Sequence, residues 1–230
     1  MISENVNNIL KEIAGGNPYG EKITLVAATK TRTAEEINEA IAAGVTDIGE
    51  NRVQEFVEKY DLVHGAARHF IGHLQTNKVK YLIGKTNLIH SLDRVELAEE
   101  LQKRAQRADW TANCLVEINL GNELSKGGFA LEEAENAFKS LAEYPNIRLC
   151  GFMAMLPLSE DKKYLRELCL SMREIYDTIR ERYENCRVLS MGMSGDYGLC
   201  IECGSNMIRL GTHIFGARNY GAVTENGGKV

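Results

Sequence analysis

Short apolar runs and helical apolar stripes alternate along the whole chain. Val6, Ile9, Leu10 and Ile13 recur at helical spacing, and Gly15-Gly16-Asn17-Pro18 stops the helix they predict over residues 1–14. Ile23 to Lys30 is apolar and partly β-branched, and it reads as a buried strand that ends in a lysine. Thr33 and Glu36 make a capping-box pattern ahead of Ile37, Ala40 and Ile41, and Gly44 breaks that helix. Further strands are read at Val45–Gly49, Arg68–Gly72, Asn87–His90, Cys114–Asn119, Arg148–Met153, Arg187–Ser190 and Met207–Leu210. Helices fall between most of them. One opens at Glu50-Asn51-Arg52 and runs through Val57; others carry Val95, Ala98 and Leu101, then Ala134, Ala137, Phe138 and Leu141. Leu165 to Ile179 is the cleanest helical stripe, and a short helix runs through Cys200. Asp93 with Glu96 reads as a cap, and residues 73–78 and 121–128 read as loops. The small, polar tail 221–230 is expected to fray.

Eight strands alternating with helices predict a closed (β/α)8 TIM barrel, with residues 1–230 as a single domain. Parallel strands buried on both faces account for continuous apolar runs. No Gly-x-Gly-x-x-Gly follows the first strand, so a dinucleotide fold has no support; an open doubly wound sheet is the competing architecture. In a barrel the C-terminal strand ends share one mouth, where binding groups collect. Lys30, Asn51, His73, Ser91, Asn119, Met153, Ser194 and Arg209 all fall near such ends.

Composition narrows the setting. Of the 230 residues 44% are hydrophobic, enough for one large core, and the net charge of −5 argues against nucleic acid or an anionic membrane as main partner. No apolar run approaches transmembrane length, and the N-terminus lacks a signal-peptide pattern, so a cytoplasmic location is expected. The six scattered cysteines read as reduced, mostly buried thiols. Cys200 and Cys203 form a lone Cys-x-x-Cys, and the five histidines show no metal-ligand spacing, so no metal is expected. Lys78, Lys80 and Lys85 near Tyr81 read as a solvated face.

Three features carry candidate chemistry. Lys30, at the mouth of a buried strand, is a Schiff-base former, an anion ligand or a solvated lysine closing the strand; the stretch alone leaves all three open. Met193-Ser194-Gly195-Asp196 and Gly211-Thr212 each join a strand to a helix with a hydroxyl and exposed backbone amides, the donors that bind phosphate. They read equally well as tight turns with Ser194 or Asp196 as a helix cap. Arg209 lies within an apolar run, so its charge must meet a partner or reach the mouth. A guanidinium stays protonated and would donate to a neutral pyridine nitrogen; a buried carboxylate is the other natural partner.

Leu25-Val26-Ala27-Ala28-Thr29-Lys30-Thr31-Arg32, Gly49-Glu50-Asn51-Arg52, His69-Phe70-Ile71-Gly72-His73-Leu74-Gln75-Thr76-Asn77-Lys78, His90-Ser91-Leu92-Asp93, Glu117-Ile118-Asn119, Lys126-Gly127-Gly128, Gly151-Phe152-Met153-Ala154-Met155, Leu189-Ser190-Met191-Gly192-Met193-Ser194 and Ile208-Arg209-Leu210-Gly211-Thr212 together resemble the pyridoxal phosphate homeostasis protein family. The resemblance runs through nearly the whole chain in order. It implies a barrel like the alanine racemase N-terminal domain, without that enzyme's second, β-rich domain. It also implies pyridoxal 5'-phosphate (PLP) as cofactor, with Lys30 as the Schiff-base lysine. Ser194, Gly211 and Thr212 would hold the phosphate and Arg209 would face the pyridine nitrogen. Asn51, Ser91, Asn119 and Met153 would line the ring and the mouth. The implied role is non-enzymatic: a monomer that keeps vitamin B6 pools balanced, with transient contact to PLP-dependent acceptor enzymes. Two other readings stand beside it. One is a weak PLP-dependent amino-acid racemase-like enzyme using Tyr197, His73 or a cysteine as second base, since racemisation needs protons on both faces of the α-carbon. The other is a PLP-sensing interaction module.

Overall fold

Parallel strands that are apolar on both faces need two covered faces and a neighbour on each edge, and a closed sheet provides all of these. The computed structural model describes residues 1–121, 123 and 126–217. The tail 221–230 and part of the loop at 121–128 lie outside the described residues. The chain runs α1 (Ile2–Ile13), β1 (Thr24–Ala28), α2 (Ala34–Ala42), β2 (Asp47–Glu50), α3 (Val53–Lys59), β3 (Ala67–Phe70), β4 (Leu88–Leu92), α4 (Val95–Arg107), β5 (Ala112–Asn119), β6 (Phe129–Ala130), α5 (Ala134–Leu141), β7 (Ile147–Met155), α6 (Lys162–Arg180), β8 (Val188–Ser190), α7 (Tyr197–Glu202), β9 (Met207–Leu210) and α8 (Thr212–Phe215). Every strand pairing is parallel. The order β1-β2-β3-β4-β5-β7-β8-β9 closes on itself, and β6 is a two-residue addition outside the ring against β5. β1 closes the barrel on β9 with Val26 opposite Arg209. The fold is therefore the expected TIM barrel, and the open sheet is excluded.

Sequence chemistry explains the elements that bring site residues to the rim. Thr33 and Glu36 form the capping box at the start of α2, each side chain bonded to the other's backbone N–H. Between β3 and β4 the residues read as a loop wind into a 3-10 helix, Thr76–Tyr81, with Val79 buried. Asp93 does not cap α4; the N-cap is Arg94 without a side-chain bond, and the Asp93 carboxylate pairs instead with His73 and Arg94. In β7 a bulge falls at Gly151, whose φ of +142° and close approach to the Val188 carbonyl leave no room for a Cβ. Val26, Leu88, Leu115, Met153 and Met207 form an apolar cluster inside the ring, and a larger core lies between the strands and the outer helices. Among the described residues no helix is long and apolar enough to cross a membrane.

Candidate functional site

A cavity of about 1080 Å³, measured out to its open mouth, lies at the C-terminal strand ends. Its lining includes Lys30, Asn51, Met153, Ser194, Arg209, Gly211 and Thr212 from the predicted set. The structure thus brings seven of the nine predicted residues to one wall. Ser91 and Asn119 lie outside that lining. Ser91 is fully buried in β4 and its Oγ has no hydrogen-bond partner. Asn119 ties down the loop after β5, donating to the Glu123 and Lys126 carbonyls and accepting from the Glu123 N–H.

Lys30 lies two residues past the end of β1, and a buried ion cluster fixes the turn around it. Lys59 Nζ donates to the Thr29 carbonyl (2.9 Å), Glu50 Oε1 (2.7 Å) and Glu55 Oε2 (2.9 Å). The same Glu55 oxygen accepts the Thr31 N–H at 2.7 Å. The backbone on both sides of Lys30 is thereby clamped, and Thr31 is held at φ +65°, a left-handed conformation that a β-branched residue adopts only under constraint. Burial pushes the Glu50 carboxyl up from its ordinary value against the pull of Lys59. Burial also works to raise Glu55, but hydrogen bonds from Lys59 and the Thr31 amide overcome it and hold that carboxyl low. Glu50, Glu55 and Lys59 escape a reading of the sequence because they look like ordinary helix-face and strand-end charges. Arg32, also in the lining, spans from Glu36 to the Gly216 carbonyl (2.7 Å) and lies over Phe215.

Arg209 resolves the question of its partner by hydrogen bonding within the barrel. Its Nη1 donates to the Ser190 carbonyl (2.8 Å) and to Ser190 Oγ (2.6 Å), and its Nη2 donates to the Ala154 carbonyl (3.2 Å). Burial draws its pKa down, and Cys200, Glu117 and Asp196 oppose that; the guanidinium stays charged. Across from it, Asp196 Oδ1 accepts the Met193 N–H at 2.6 Å. Asp196 is the N-cap of α7 but makes no side-chain cap bond; it closes the turn that carries Ser194. Gly211 is the N-cap of α8, and the first-turn amides of a helix have no intrahelical acceptor, so donors collect beside the Thr212 hydroxyl. The wall therefore combines an amine, a fixed cation and a cluster of hydroxyl and amide donors. Asn51 adds a buried carbonyl oxygen, Oδ1, that has no hydrogen-bond partner. Among the described residues no three His, Cys, Asp or Glu side chains gather as a metal would require.

Comparison with known proteins fits this geometry. The alanine racemase N-terminal domain family matches residues 2–219. The pyridoxal phosphate homeostasis protein of Aquifex aeolicus is 43% identical over 199 residues, 85% of this chain and 87% of its own. That of Escherichia coli K12 is 40% identical over 207 residues, 87% of this chain and 88% of its own. A structure of PipY from Synechococcus elongatus with PLP bound superposes with a TM-score of 0.79 at 28% identity, covering 94% of this chain and all of that one, 100%. Alanine racemase from Corynebacterium glutamicum shares the fold, with a TM-score of 0.73 at 18% identity over 94% of this chain and 61% of the enzyme.

Proposed function

Because the chain belongs to the pyridoxal phosphate homeostasis protein family, built on the alanine racemase N-terminal domain, we propose that it binds pyridoxal 5'-phosphate in the cavity at the barrel mouth, as a Schiff base on Lys30. One observation carries this reading: Lys30, Arg209 and the donors of Ser194, Gly211 and Thr212 line a single cavity. The residues present fit the group. Hydroxyl and amide donors suit a phosphate dianion. The Arg209 guanidinium suits a neutral ring nitrogen, to which it can only donate. The unpartnered Asn51 oxygen suits a ligand donor, and Met153 suits a ring face. When bound, PLP supplies an aldehyde that condenses with a neutral amine and releases water.

The role that follows is PLP homeostasis by reversible binding, in a cytoplasmic monomer that meets acceptor enzymes transiently. The open mouth supports exchange over turnover. The counter-reading, a weak racemase-like enzyme, draws on one feature. His73 projects into solvent, with Nδ1 3.0 Å from the buried Asp93 carboxylate, an oriented imidazole on the rim. Titrating purified protein with PLP and following absorbance is the direct test. Borohydride reduction and peptide mapping should place the label on Lys30. Lys30→Ala should abolish the covalent adduct and keep residual phosphate-anchored binding. A label on another lysine, or no colour with excess PLP, overturns the reading. Steady α-proton exchange of an amino acid in deuterated buffer overturns its non-enzymatic part.

A further inference from the structure

The barrel lumen holds a line of polar side chains that the cofactor reading does not use. Asp47, His69, His90 and Ser190 sit on β2, β3, β4 and β8, and the line ends on Arg209 of β9. Asp47 and His69 line a second opening, at the N-terminal strand ends, together with Thr24, Asn87 and Asn113. Arg209 lines the candidate PLP cavity at the other end. His90 and Ser190 are fully buried, and His69 and Arg209 nearly so.

The fixed donor at the Arg209 end sets a consistent run of donor directions along this line. Arg209 can only donate, so Ser190 Oγ accepts from Nη1 at 2.6 Å. The Ser190 hydroxyl hydrogen has His90 Nδ1 within reach at 3.4 Å. Burial, with the Arg209 charge adding to it, holds His90 well below the ordinary imidazole value, so His90 is neutral with one donor and one acceptor. With Nδ1 accepting, Nε2–H donates to His69 Nδ1 at 3.0 Å. His69 Nε2–H then donates to Asp47 Oδ1 at 3.2 Å. Burial works to raise Asp47, but bonds from His69 and Thr46 outweigh it and keep the carboxyl low, so the line ends on a carboxylate.

We propose that Asp47, His69, His90 and Ser190 form a through-barrel hydrogen-bond relay that holds Arg209 in its cavity-facing orientation and ties its charge to a carboxylate at the opposite opening. His90 and Ser190 are positioning residues, and Asp47 is the remote anchor. Every hydrogen in the relay points away from the cavity, so a change at Asp47 is transmitted to Ser190 without any movement of the strands. This builds on the PLP reading but does not share its test.

The test begins on the protein without ligand. Side-chain nitrogen–proton correlation spectra of ¹⁵N-histidine-labelled protein should show His90 as the Nε2–H tautomer, with Nδ1 accepting. Asp47→Asn, at a solvent-facing position, should shift both His69 and His90 ring nitrogens. Arg148→Gln removes a charge elsewhere in the same opening and should shift neither. An Nδ1–H tautomer at His90, or an Asp47→Asn spectrum unchanged at His90, overturns the relay. With PLP as probe, His90→Phe should weaken binding about tenfold by freeing Ser190 and Arg209. His90→Gln, whose amide can accept from Ser190 and donate to His69, should restore most of that loss. Equal weakening by both variants overturns the positioning role. If wild-type protein binds no PLP, the cofactor reading fails while the tautomer measurement still decides the relay.

Discussion

Glu117 lies on β5 two residues beyond Leu115, so both point into the barrel lumen. It is 5% exposed, and burial, with Asp93 adding to it, pushes its carboxyl up to about 7 against the pull of Arg209 and Arg94. The sign for stability follows. Between its ordinary value of 4.5 and about 7 the folded state keeps a proton that the unfolded state has lost. Its contribution is complete below that window and is lost as pH rises through about 7. Denaturant melts of wild type and Glu117→Gln should therefore diverge with rising pH. The variant should gain on the wild type by up to about 3 kcal/mol at pH 8; parallel curves would refute the buried-acid assignment. At this scale Lys30 and Arg209 were legible, because a charge closing or interrupting an apolar run is conspicuous. Ser91 was not, because strand periodicity does not say that its Oγ ends buried without a hydrogen-bond partner and outside the cavity lining. The Lys59 clamp was invisible for a different reason. It joins the helix α3 to the turn after β1, and such partners meet only once β1 and β2 are paired.

Whole elements were easier to read than their ends. The strands stood out because barrel burial demands apolar residues on both faces, and Thr33 stood out because its capping partner lies three residues away. The misassigned features depend on partners that local spacing does not reveal. Asp93 satisfies the pattern of a cap, but His73 from the neighbouring loop and Arg94 compete for its oxygens and win. The 3-10 turn at Thr76–Tyr81 is stabilised by burying Val79 and Leu82, a tertiary gain that polar spacing hides. One junction between elements matters directly for binding. Gly72, just past β3, packs on the Asn51 backbone, and a Cβ there would overlap the Asn51 carbonyl oxygen. Backbone on that side cannot yield as a flexible side chain would, so Gly72→Ala should displace Asn51 from the cavity wall. Overpacking of this kind costs about 1–3 kcal/mol. PLP titration should show affinity reduced by about tenfold or more, with circular dichroism still reporting the barrel. Unchanged affinity would mean that Asn51 contributes nothing to the ligand.

At the scale of the molecule, the cavity straddles the seam where the chain closes on itself. Lys30 follows β1, near one end of the sequence, and Arg209, Gly211 and Thr212 belong to β9 and its turn, near the other. β1 and β9 are neighbours in the ring, paired from Thr24–Met207 to Ala27–Leu210. Outside the ring the same seam is held by α1. Asn5 Nδ2 donates to the Ile214 carbonyl at 3.0 Å, and the Tyr197 hydroxyl bonds the Glu12 carboxylate at 3.0 Å. Contacts so far apart in sequence carry the largest loop-closure cost. A ligand bonded to both sides of the seam therefore opposes the opening that separates them. A ligand at a hundredfold its Kd adds about 2.7 kcal/mol to the folded state. For a chain of this size that corresponds to roughly 5–10 °C in Tm. PLP should raise Tm by that amount in a concentration-dependent way, and Lys30→Ala should retain a smaller rise. Hydrogen exchange should slow most at the C-terminal ends of β1 and β9. It should change least at β4 and β5, which contribute no residue to the cavity lining. A Tm indifferent to PLP would count against binding itself. A rise in Tm with equal slowing in every strand would leave binding intact and locate the rate-limiting opening in global unfolding, away from the seam.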